Sequence, residues 1–293
     1  MIAIPLPRAA PADFLALTKP RIVALVLVTV AAGFAAAPAG VVSSPVALLH
    51  TLIGAALVAA GTNALNQVLE RDIDALMKRT ARRPLPSGRL RLNEAAWFAW
   101  GAGLVGIVYL AALVNPTTAL LAAATLGIYV FMYTPLKRRS SISTLVGAVP
   151  GALPVLGGWA AAGAALDARA WVLFWILFLW QLPHFLALSW LYRDDYARGG
   201  LRMLSVEDPD GRATFRQATL YALALVPASL APAAFGMTGG AYFIVTLALS
   251  VLYVAVSLTA MMAPSVRAAR RLFLTSLVYL PVVLGLLILD GVT

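Results

Sequence analysis

The chain has 293 residues, of which 61% are hydrophobic and only 12% are charged. An average soluble domain is about half apolar and about a quarter charged, so this composition predicts a polytopic membrane protein and excludes an ordinary soluble domain. The sequence contains no cysteine, which excludes disulfides and thiolate metal sites, and its formal net charge is +10.

The N-terminal segment, residues 1–18, is predicted to be a retained cytosolic tail. Prolines interrupt its apolar stretches, and no small-residue cleavage site follows a long apolar core, so it does not have the pattern of a signal peptide. The apolar patch at residues 14–17 is expected to lie on the membrane surface. Residues 19–293 are predicted to form one membrane domain.

Nine apolar stretches follow in this domain. Each is long enough to cross a hydrocarbon core, which takes about 20 apolar residues in a helix. We therefore predict an all-α bundle of nine transmembrane helices. The predicted spans are residues 22–40, 46–68, 95–113, 117–135, 143–164, 170–190, 217–236, 240–262 and 272–290.

The basic residues alternate between the connections of these spans. Of the 22 Lys and Arg residues, all except Arg169 lie before the first span or in the second-to-third, fourth-to-fifth, sixth-to-seventh and eighth-to-ninth connections. The positive-inside rule places this face and the N-terminus in the cytoplasm, as in a bacterial inner membrane. The basic excess is therefore mainly a topology signal, and we predict no nucleic-acid partner.

An acidic motif lies at the cytosolic end of the second span. Asn66, Glu70 and Asp74 recur every four residues, which places them on one face of a helix. Oxygen ligands beside the following arginines suit a divalent cation together with a phosphorylated ligand. The alternative is a solvated loop whose acids pair with nearby bases, as Asp74 and Lys78 do by spacing. Because charged groups at membrane helices are costly, the functional interpretation is favoured.

A second polar cluster follows the sixth span. Asp194 and Asp195 lie about where a second pair of metal ligands could face the first, and a solvated interfacial loop is the alternative. His184 lies inside the sixth apolar run, directly after Pro183. A lone histidine among aromatic residues is more often a buried hydrogen-bonding residue than a ligand, but a polar group within a membrane needs a partner or a purpose.

Two further stretches stand out between these clusters. Residues 133–141 carry Lys137, Arg138 and Arg139, which either enforce topology or reach a diphosphate on the same face. Glycine and proline recur in residues 147–159, which predicts a kinked fifth helix with room for close packing or for a flat ligand.

Together these motifs resemble the UbiA superfamily of intramembrane prenyltransferases. Residues 66–74 match its Asn-x3-Asp-x3-Asp pattern, with Glu70 in place of the first Asp, and residues 79–84 match Arg-Thr-x2-Arg-Pro. The segments TKPRI, YTPLKR, GAVPGALP and WQLPHF are most similar to the members that act on heme. The second motif departs from the common pattern, because Arg198 and Gly199 stand four residues after Asp194 and Asp195.

The resemblance implies a UbiA-like helical bundle that transfers a farnesyl group from farnesyl diphosphate to a vinyl group of heme b, with Mg²⁺ as cofactor, in heme-copper oxidase biogenesis. It implies heme A synthase or oxidase-assembly proteins as partners beside the lipid bilayer. The implied catalytic and metal-binding residues are Asn66, Glu70, Asp74 and Asp195, with Asp194 as an additional metal ligand; Arg79, Arg83, Lys137 and Arg138 would bind diphosphate, and His184 would contact heme.

Two alternatives stay open at this point. Relatives that prenylate a quinone-precursor acid or a chlorophyll-like ring share the first acidic motif. A membrane transporter is the alternative from another class, although transporters usually place polar residues near the bilayer midplane rather than at helix ends.

Overall fold

The computed structural model describes residues 10–38 and 44–291, and helices dominate both segments. In chain order the helices are α1 (Pro11–Thr18), α2 (Pro20–Ala35), α3 (Pro45–Leu69), α4 (Arg71–Leu76), α5 (Leu92–Leu113), α6 (Pro116–Gly127), α7 (Thr134–Leu136), α8 (Ser143–Ala161), α9 (Ala168–Leu191), α10 (Arg193–Arg198), α11 (Leu204–Glu207), α12 (Arg212–Ala234), α13 (Gly240–Met262) and α14 (Val266–Leu289). A π-helical segment, Ile128–Tyr133, joins α6 to α7.

Eight of these elements are long and apolar enough to cross a membrane, counting α6, the π-helical segment and α7 as one span, Pro116–Leu136. The bent pair α1 and α2, which meet at 46°, gives a ninth. The all-α prediction is therefore confirmed, and the predicted nine spans agree with the structure when the bent pair counts as one. The predicted end of the first span, residue 40, lies outside the described residues, and α2 ends at Ala35.

Local sequence explains where several helices begin. Pro45 and Pro116 stand at the first position of α3 and α6, where a missing N–H costs nothing. Asn115 accepts a hydrogen bond from the Thr118 N–H, and Asp167 accepts from two N–H groups at the start of α9. Such N-caps satisfy N–H groups that would otherwise be unpaired at a helix end.

Helix α8 lies at the centre of the bundle and packs on α2, α6 and α9. Its contact with α2 is close because two glycines face backbone. A Cβ at Gly158 would lie 1.9 Å from the Val30 carbonyl oxygen, and one at Gly33 would lie 2.0 Å from that of Val155. Only glycine permits this approach, which is the small-residue packing predicted for residues 147–159.

Helix α1 packs one face on the bundle and leaves the Leu15 side chain 60% exposed. Leu17 is fully buried, and the Phe14 ring meets the Phe98 ring edge-on at 5.3 Å. Side chains of α3 bond the carbonyl groups at the end of α1, which ties that end to the bundle. The position of residues 14–17 on the membrane surface stays a prediction. Residues 1–9 lie outside the described part of the chain, and a domain boundary at residue 18 stays a prediction.

The connections at one end of the bundle, which we call the basic end, pack against each other. Ile73 and Met77, in and after α4, form a small apolar cluster with Leu201 and Met203. The Arg202 N–H also donates to the Lys137 carbonyl at 2.8 Å. Three connections that are distant in sequence are thereby held over the same end of the membrane helices.

Candidate active site

The acidic motif lies at the junction of α3 and α4. Glu70 is the residue between the two helices, yet its N–H still bonds the Asn66 carbonyl at 3.0 Å, and the Asp74 N–H bonds the Glu70 carbonyl at 2.7 Å. The four-residue register therefore continues across the break. All three side chains are buried, with residue exposures of 2%, 6% and 1% in chain order.

Each member of the motif contacts a basic side chain from a different segment. The pairs are Asn66 Oδ1 with Lys19 Nζ at 3.1 Å, Glu70 Oε1 with Lys137 Nζ at 2.8 Å, and Asp74 Oδ2 with Arg83 Nη1 at 2.7 Å. Three oxygen-bearing and three cationic groups are thus interleaved in one buried cluster. Such a cluster can accept a cation on its acids and an anion on its bases without a large change of net charge.

Two buried acceptors in this cluster are unpaired in the described part of the chain. They are Asp74 Oδ1 and the Oε1 atom of Gln67, and a buried acceptor without a donor is costly. No set of three or more His, Asp or Glu residues in the described part of the chain could hold a metal alone. Mg²⁺ commonly uses only one or two carboxylates together with substrate phosphates, so the donors present fit that ion.

The second acidic motif behaves differently from the first. The Asp194 side chain is 86% exposed, and its nearest cation is Arg193 at 3.8 Å. Asp195 is buried, where it accepts from Arg198 and from the Lys78 N–H at 3.1 Å. Burial alone would raise the pKa of Asp195, but these donors lower it below the usual value. Asp195 therefore braces α10 against the connection after α4.

The predicted diphosphate ligands are divided between buried and exposed positions. Lys137 is buried and also lies 4.4 Å from the centroid of the Tyr133 ring. The Arg79 guanidinium lies 5.1 Å from the centroid of Tyr192, and both Arg79 and Arg138 are exposed. The structure thus brings Lys137 and Arg83 into the cluster and leaves Arg79 and Arg138 exposed, with no ion pair to it in the described residues.

Lys19 is the member of the cluster that sequence reasoning missed. It is the one non-glycine residue with positive φ (53°) in the described residues. This strained backbone conformation lies between α1 and Pro20, and it directs the ammonium group to Asn66. The signal was present in the TKPRI segment, where a lysine precedes a proline, but only the fold shows what that lysine meets.

Two amides of α3 hold the break at Lys19 in place. The Asn63 Nδ2 group donates to the Thr18 carbonyl at 3.1 Å, and the Gln67 Nε2 group donates to the Leu17 carbonyl at 2.7 Å. These carbonyls belong to the last turn of α1, where intrahelical donors are missing. The amides of α3 thereby fix the segment that supplies Lys19 to the site.

An apolar cavity of about 290 Å³ adjoins the polar cluster. Asn63, Tyr129 and Tyr133 line it near the cluster, and Thr118 and Gly157 line it toward the opposite end of the bundle. The two tyrosine rings meet edge-on at 4.9 Å within the π-helical segment. Insertions of this kind occur frequently at functional sites, and here the insertion places both rings along the cavity.

His184 lies on a different side of α9 from the cavity. Its Nδ1 atom is 2.7 Å from the Ser276 hydroxyl of α14, and its ring packs between Trp180 and Phe273 at centroid distances of 5.2 and 4.8 Å. The next residue, Phe185, does line the cavity. The structure therefore places His184 at the contact between α9 and α14, outside the acidic cluster and not among the residues that line the cavity.

The acidic motif, with its paired bases, lies buried beside the apolar cavity. This arrangement defines a membrane enzyme whose substrate has a charged head group and a hydrocarbon tail. The sequence profile of the UbiA prenyltransferase family matches residues 26–280, and the chain belongs to this family. Membership of a prenyltransferase family removes the transporter alternative.

Individual relatives give a more specific comparison than the family profile. The chain is 44% identical over 292 residues to protoheme IX farnesyltransferase from Solibacter usitatus (strain Ellin6076), an alignment that covers 95% of this chain and 98% of that protein. It is 43% identical over 279 residues to protoheme IX farnesyltransferase from Salinibacter ruber (strain DSM 13855 / M31), with 95% and 98% coverage.

Solved structures share the fold at low sequence identity. A digeranylgeranylglyceryl phosphate synthase structure superposes with a TM-score of 0.76 at 18% identity, covering 95% of this chain and 97% of that one. A UbiA homologue from Archaeoglobus fulgidus bound to DMAPP and Mg²⁺ superposes with a TM-score of 0.64 at 16% identity, covering 94% and 99%.

Proposed function

We propose that this chain transfers the farnesyl group of farnesyl diphosphate to a vinyl group of heme b, giving heme o and inorganic diphosphate. The observation that carries the proposal is the buried cluster of interleaved acids and bases at the mouth of the apolar cavity. The relatives named protoheme IX farnesyltransferase, which align along nearly the whole chain, support heme as the acceptor.

The diphosphate group is proposed to bind at the polar cluster. Lys137, Arg83 and Lys19 are the buried or half-buried cations there, and they would bond the phosphate oxygens while Arg79 and Arg138 close the rim. Asn66, Glu70 and Asp74 would hold Mg²⁺, which neutralises the developing charge of the leaving diphosphate. Asp195, with Asp194 beyond it, remains a candidate metal ligand, although in this structure its carboxylate is occupied by Arg198 and a backbone N–H.

The apolar cavity is proposed to hold the prenyl chain. When the C–O bond to diphosphate breaks, its electron pair leaves with the phosphate oxygen and an allylic cation remains. That cation must be kept from water until the vinyl carbon attacks, and an apolar site that excludes water does this. Tyr129 and Tyr133 line this cavity, and aromatic rings of this kind can stabilise a positive charge. Water then adds to the resulting carbocation and loses a proton, giving the hydroxyethylfarnesyl product.

The basic end of the bundle is proposed to face the cytoplasm of a bacterial inner membrane. The concentration of Lys and Arg in the connections at this end supports the orientation. Farnesyl diphosphate would then reach the polar cluster from the cytoplasm. Heme A synthase or oxidase-assembly proteins are the partners that we propose to receive the product, because heme o is an intermediate of heme-copper oxidase biogenesis.

The mass of the porphyrin product tests this proposal. Purified protein in lipid nanodiscs, given heme b, farnesyl diphosphate and Mg²⁺, should yield heme o together with diphosphate. Asp74→Asn should lower turnover by about 10²–10³-fold, as loss of one preorganised electrostatic group does. Asp72→Asn is the matched control, because that side chain is 87% exposed beside the site and should leave turnover unchanged.

The rival acceptors are tested in the same preparation. A quinone-precursor acid and a chlorophyll-like ring replace heme b in parallel reactions with labelled farnesyl diphosphate. Label in either of these and none in heme would overturn the choice of acceptor while leaving the prenyltransferase assignment intact. Turnover without any divalent metal would overturn the role given to Mg²⁺.

A further inference from the structure

We infer that Asn63 holds the water molecule that completes the reaction, so that its Oδ1 atom positions this water for hydration of the acceptor. The inference rests on the proposed function, because it concerns the last step of the same reaction. Asn63 is not part of the acidic motif. It lies where α3 passes from the polar cluster to the apolar cavity, and it lines that cavity.

The orientation of the Asn63 amide follows from its hydrogen-bond partner. The Nδ2 group donates to the Thr18 carbonyl at 3.1 Å, and a backbone carbonyl can only accept a hydrogen bond. The nitrogen must therefore face Thr18, and the Oδ1 atom occupies the other branch of the amide. Because Asn63 is only 6% exposed, the surrounding bundle keeps the amide in this orientation.

The Oδ1 atom of Asn63 is open to the cavity. It has no hydrogen-bond partner in the described part of the chain, and it is not among the fully buried unpaired atoms there, so it has accessible surface. A buried amide oxygen without a donor is costly, and a water molecule is the smallest donor that satisfies it. Such a water donates one proton to Asn63 and keeps a lone pair for attack on carbon.

The other polar side chains along the cavity are less suited to hold this water. The threonine hydroxyls donate to backbone carbonyls and therefore lie against helix backbone; these residues are Thr51, Thr62, Thr118 and Thr125. Tyr129 and Tyr133 also line the cavity, but a phenol that donates its proton to water engages a lone pair that hydration needs. An amide oxygen, which can only accept, leaves that lone pair free.

The depth of Asn63 in the membrane fits the carbon that must be hydrated. Asn63 is three residues before Asn66 on α3, which places it about 4.5 Å further from the basic end at 1.5 Å per residue. With diphosphate at the polar cluster, the first carbon of the prenyl chain enters the cavity there. The carbon to be hydrated lies two bonds beyond that first carbon, so one helical turn separates the site of bond cleavage from the site of hydration.

The bonds and charges of this step balance with water as the one added reactant. The terminal vinyl carbon bonds the first carbon of the farnesyl group, which leaves the inner vinyl carbon as a cation. The water on Asn63 gives a lone pair to that carbon and forms the C–O bond. Its surplus proton goes to the released diphosphate, the base that the reaction itself supplies. Without a positioned water the cation instead loses a proton from the neighbouring carbon, and the product is an alkene lighter than heme o by one water.

The ratio of hydrated to unhydrated product tests this role. Purified protein in nanodiscs receives heme b, farnesyl diphosphate and Mg²⁺, and mass spectrometry quantifies the two farnesylated hemes. In Asn63→Leu the ratio should fall about 10-fold relative to the wild type, the effect of losing one hydrogen bond. Asn63→Asp should still give mainly hydrated product, because its carboxylate keeps an acceptor oxygen although it cannot donate to Thr18.

Gln67→Leu is the matched control for Asn63→Leu. Gln67 lies one turn further along the same helix, and its Nε2 group donates to the Leu17 carbonyl at 2.7 Å, but its Oε1 atom is fully buried. Both leucine variants therefore lose a hydrogen bond to the end of α1, and both should react more slowly than the wild type. Only Asn63→Leu should change the product ratio, which a residue that merely anchored α1 would leave unchanged.

The outcomes separate this inference from the proposed function. If the wild type makes heme o and Asn63→Leu keeps its product ratio, or Gln67→Leu changes the ratio as much, the inference is overturned and the proposed function stands. An Asn63→Asp protein that makes mainly unhydrated product would overturn it as well, even if Asn63→Leu fails to fold. If the wild type farnesylates no heme, the proposed function itself fails and the inference falls with it.

Discussion

Variants of the Glu70–Lys137 pair can separate the effect of the cluster on stability from its effect on activity. The two side chains are 7% and 9% exposed, and their charged atoms are 2.8 Å apart. Glu70→Gln keeps the shape of the side chain but leaves the Lys137 ammonium buried without its carboxylate. Breaking a buried pair in this way costs about 3–5 kcal/mol. Because the ammonium keeps its contact with the Tyr133 ring, we expect a loss near the lower limit, about 3 kcal/mol.

Adding Lys137→Met to Glu70→Gln should recover most of that loss, since no charge then remains buried. The free energy of unfolding, measured in mixed micelles for the wild type, both single variants and the double variant, gives the coupling. Glu207→Gln is the control, because its partner Arg202 is 60% exposed and exposed pairs contribute at most about 1 kcal/mol. The double variant should be stable yet inactive in diphosphate release. A Glu70→Gln protein as stable as the wild type, or two additive single variants, would refute the buried-pair reasoning.

Two further predictions concern α8. Gly158→Ala should destabilise the protein by about 1–3 kcal/mol, since its Cβ would overlap the Val30 carbonyl. Gly157→Ala is the control, because its Cβ meets nothing within 4 Å. The free energies of unfolding of the two variants check this, and equal stability would contradict the packing. Gly157→Leu should fill the end of the cavity that is far from the acidic motif. Turnover with farnesyl diphosphate should then fall more than turnover with the shorter geranyl diphosphate. An equal loss with both substrates would place the prenyl chain elsewhere.

The sequence was sufficient to predict the helices and the acidic motif because both depend on local spacing. Apolar stretches long enough to cross a bilayer predict spans directly, and side chains four residues apart share a helix face even where α3 gives way to α4. The charge pattern of the connections constrained the helix count in the same local manner. These features do not depend on which helices become neighbours.

The basic partners of the acidic motif depend on tertiary contacts, so the sequence could not predict which residues they are. Lys19 and Lys137 are 47 and 67 residues from the acidic-row residues that they contact. The contacts of α1 with the bundle needed the fold for the same reason, since an apolar patch before the first span carries no mark of the α3 amides that bond the Leu17 and Thr18 carbonyls. Asp195 and His184 also stand in recognisable motifs, yet only the fold shows Asp195 bracing two connections and His184 bonded to Ser276.

The interleaving of charges explains why the acids and bases must come from separate segments. Two carboxylates held close together would repel each other if they were buried alone, and three cations held close together would do the same. Lys137 and Arg83 neutralise the two carboxylates of the motif before substrate arrives, and Lys19 bonds the Asn66 amide oxygen, so each group is fixed in the low-dielectric interior. When a metal and a diphosphate bind, acids and bases exchange partners instead of being newly desolvated, so the electrostatic environment that the leaving group needs is already organised.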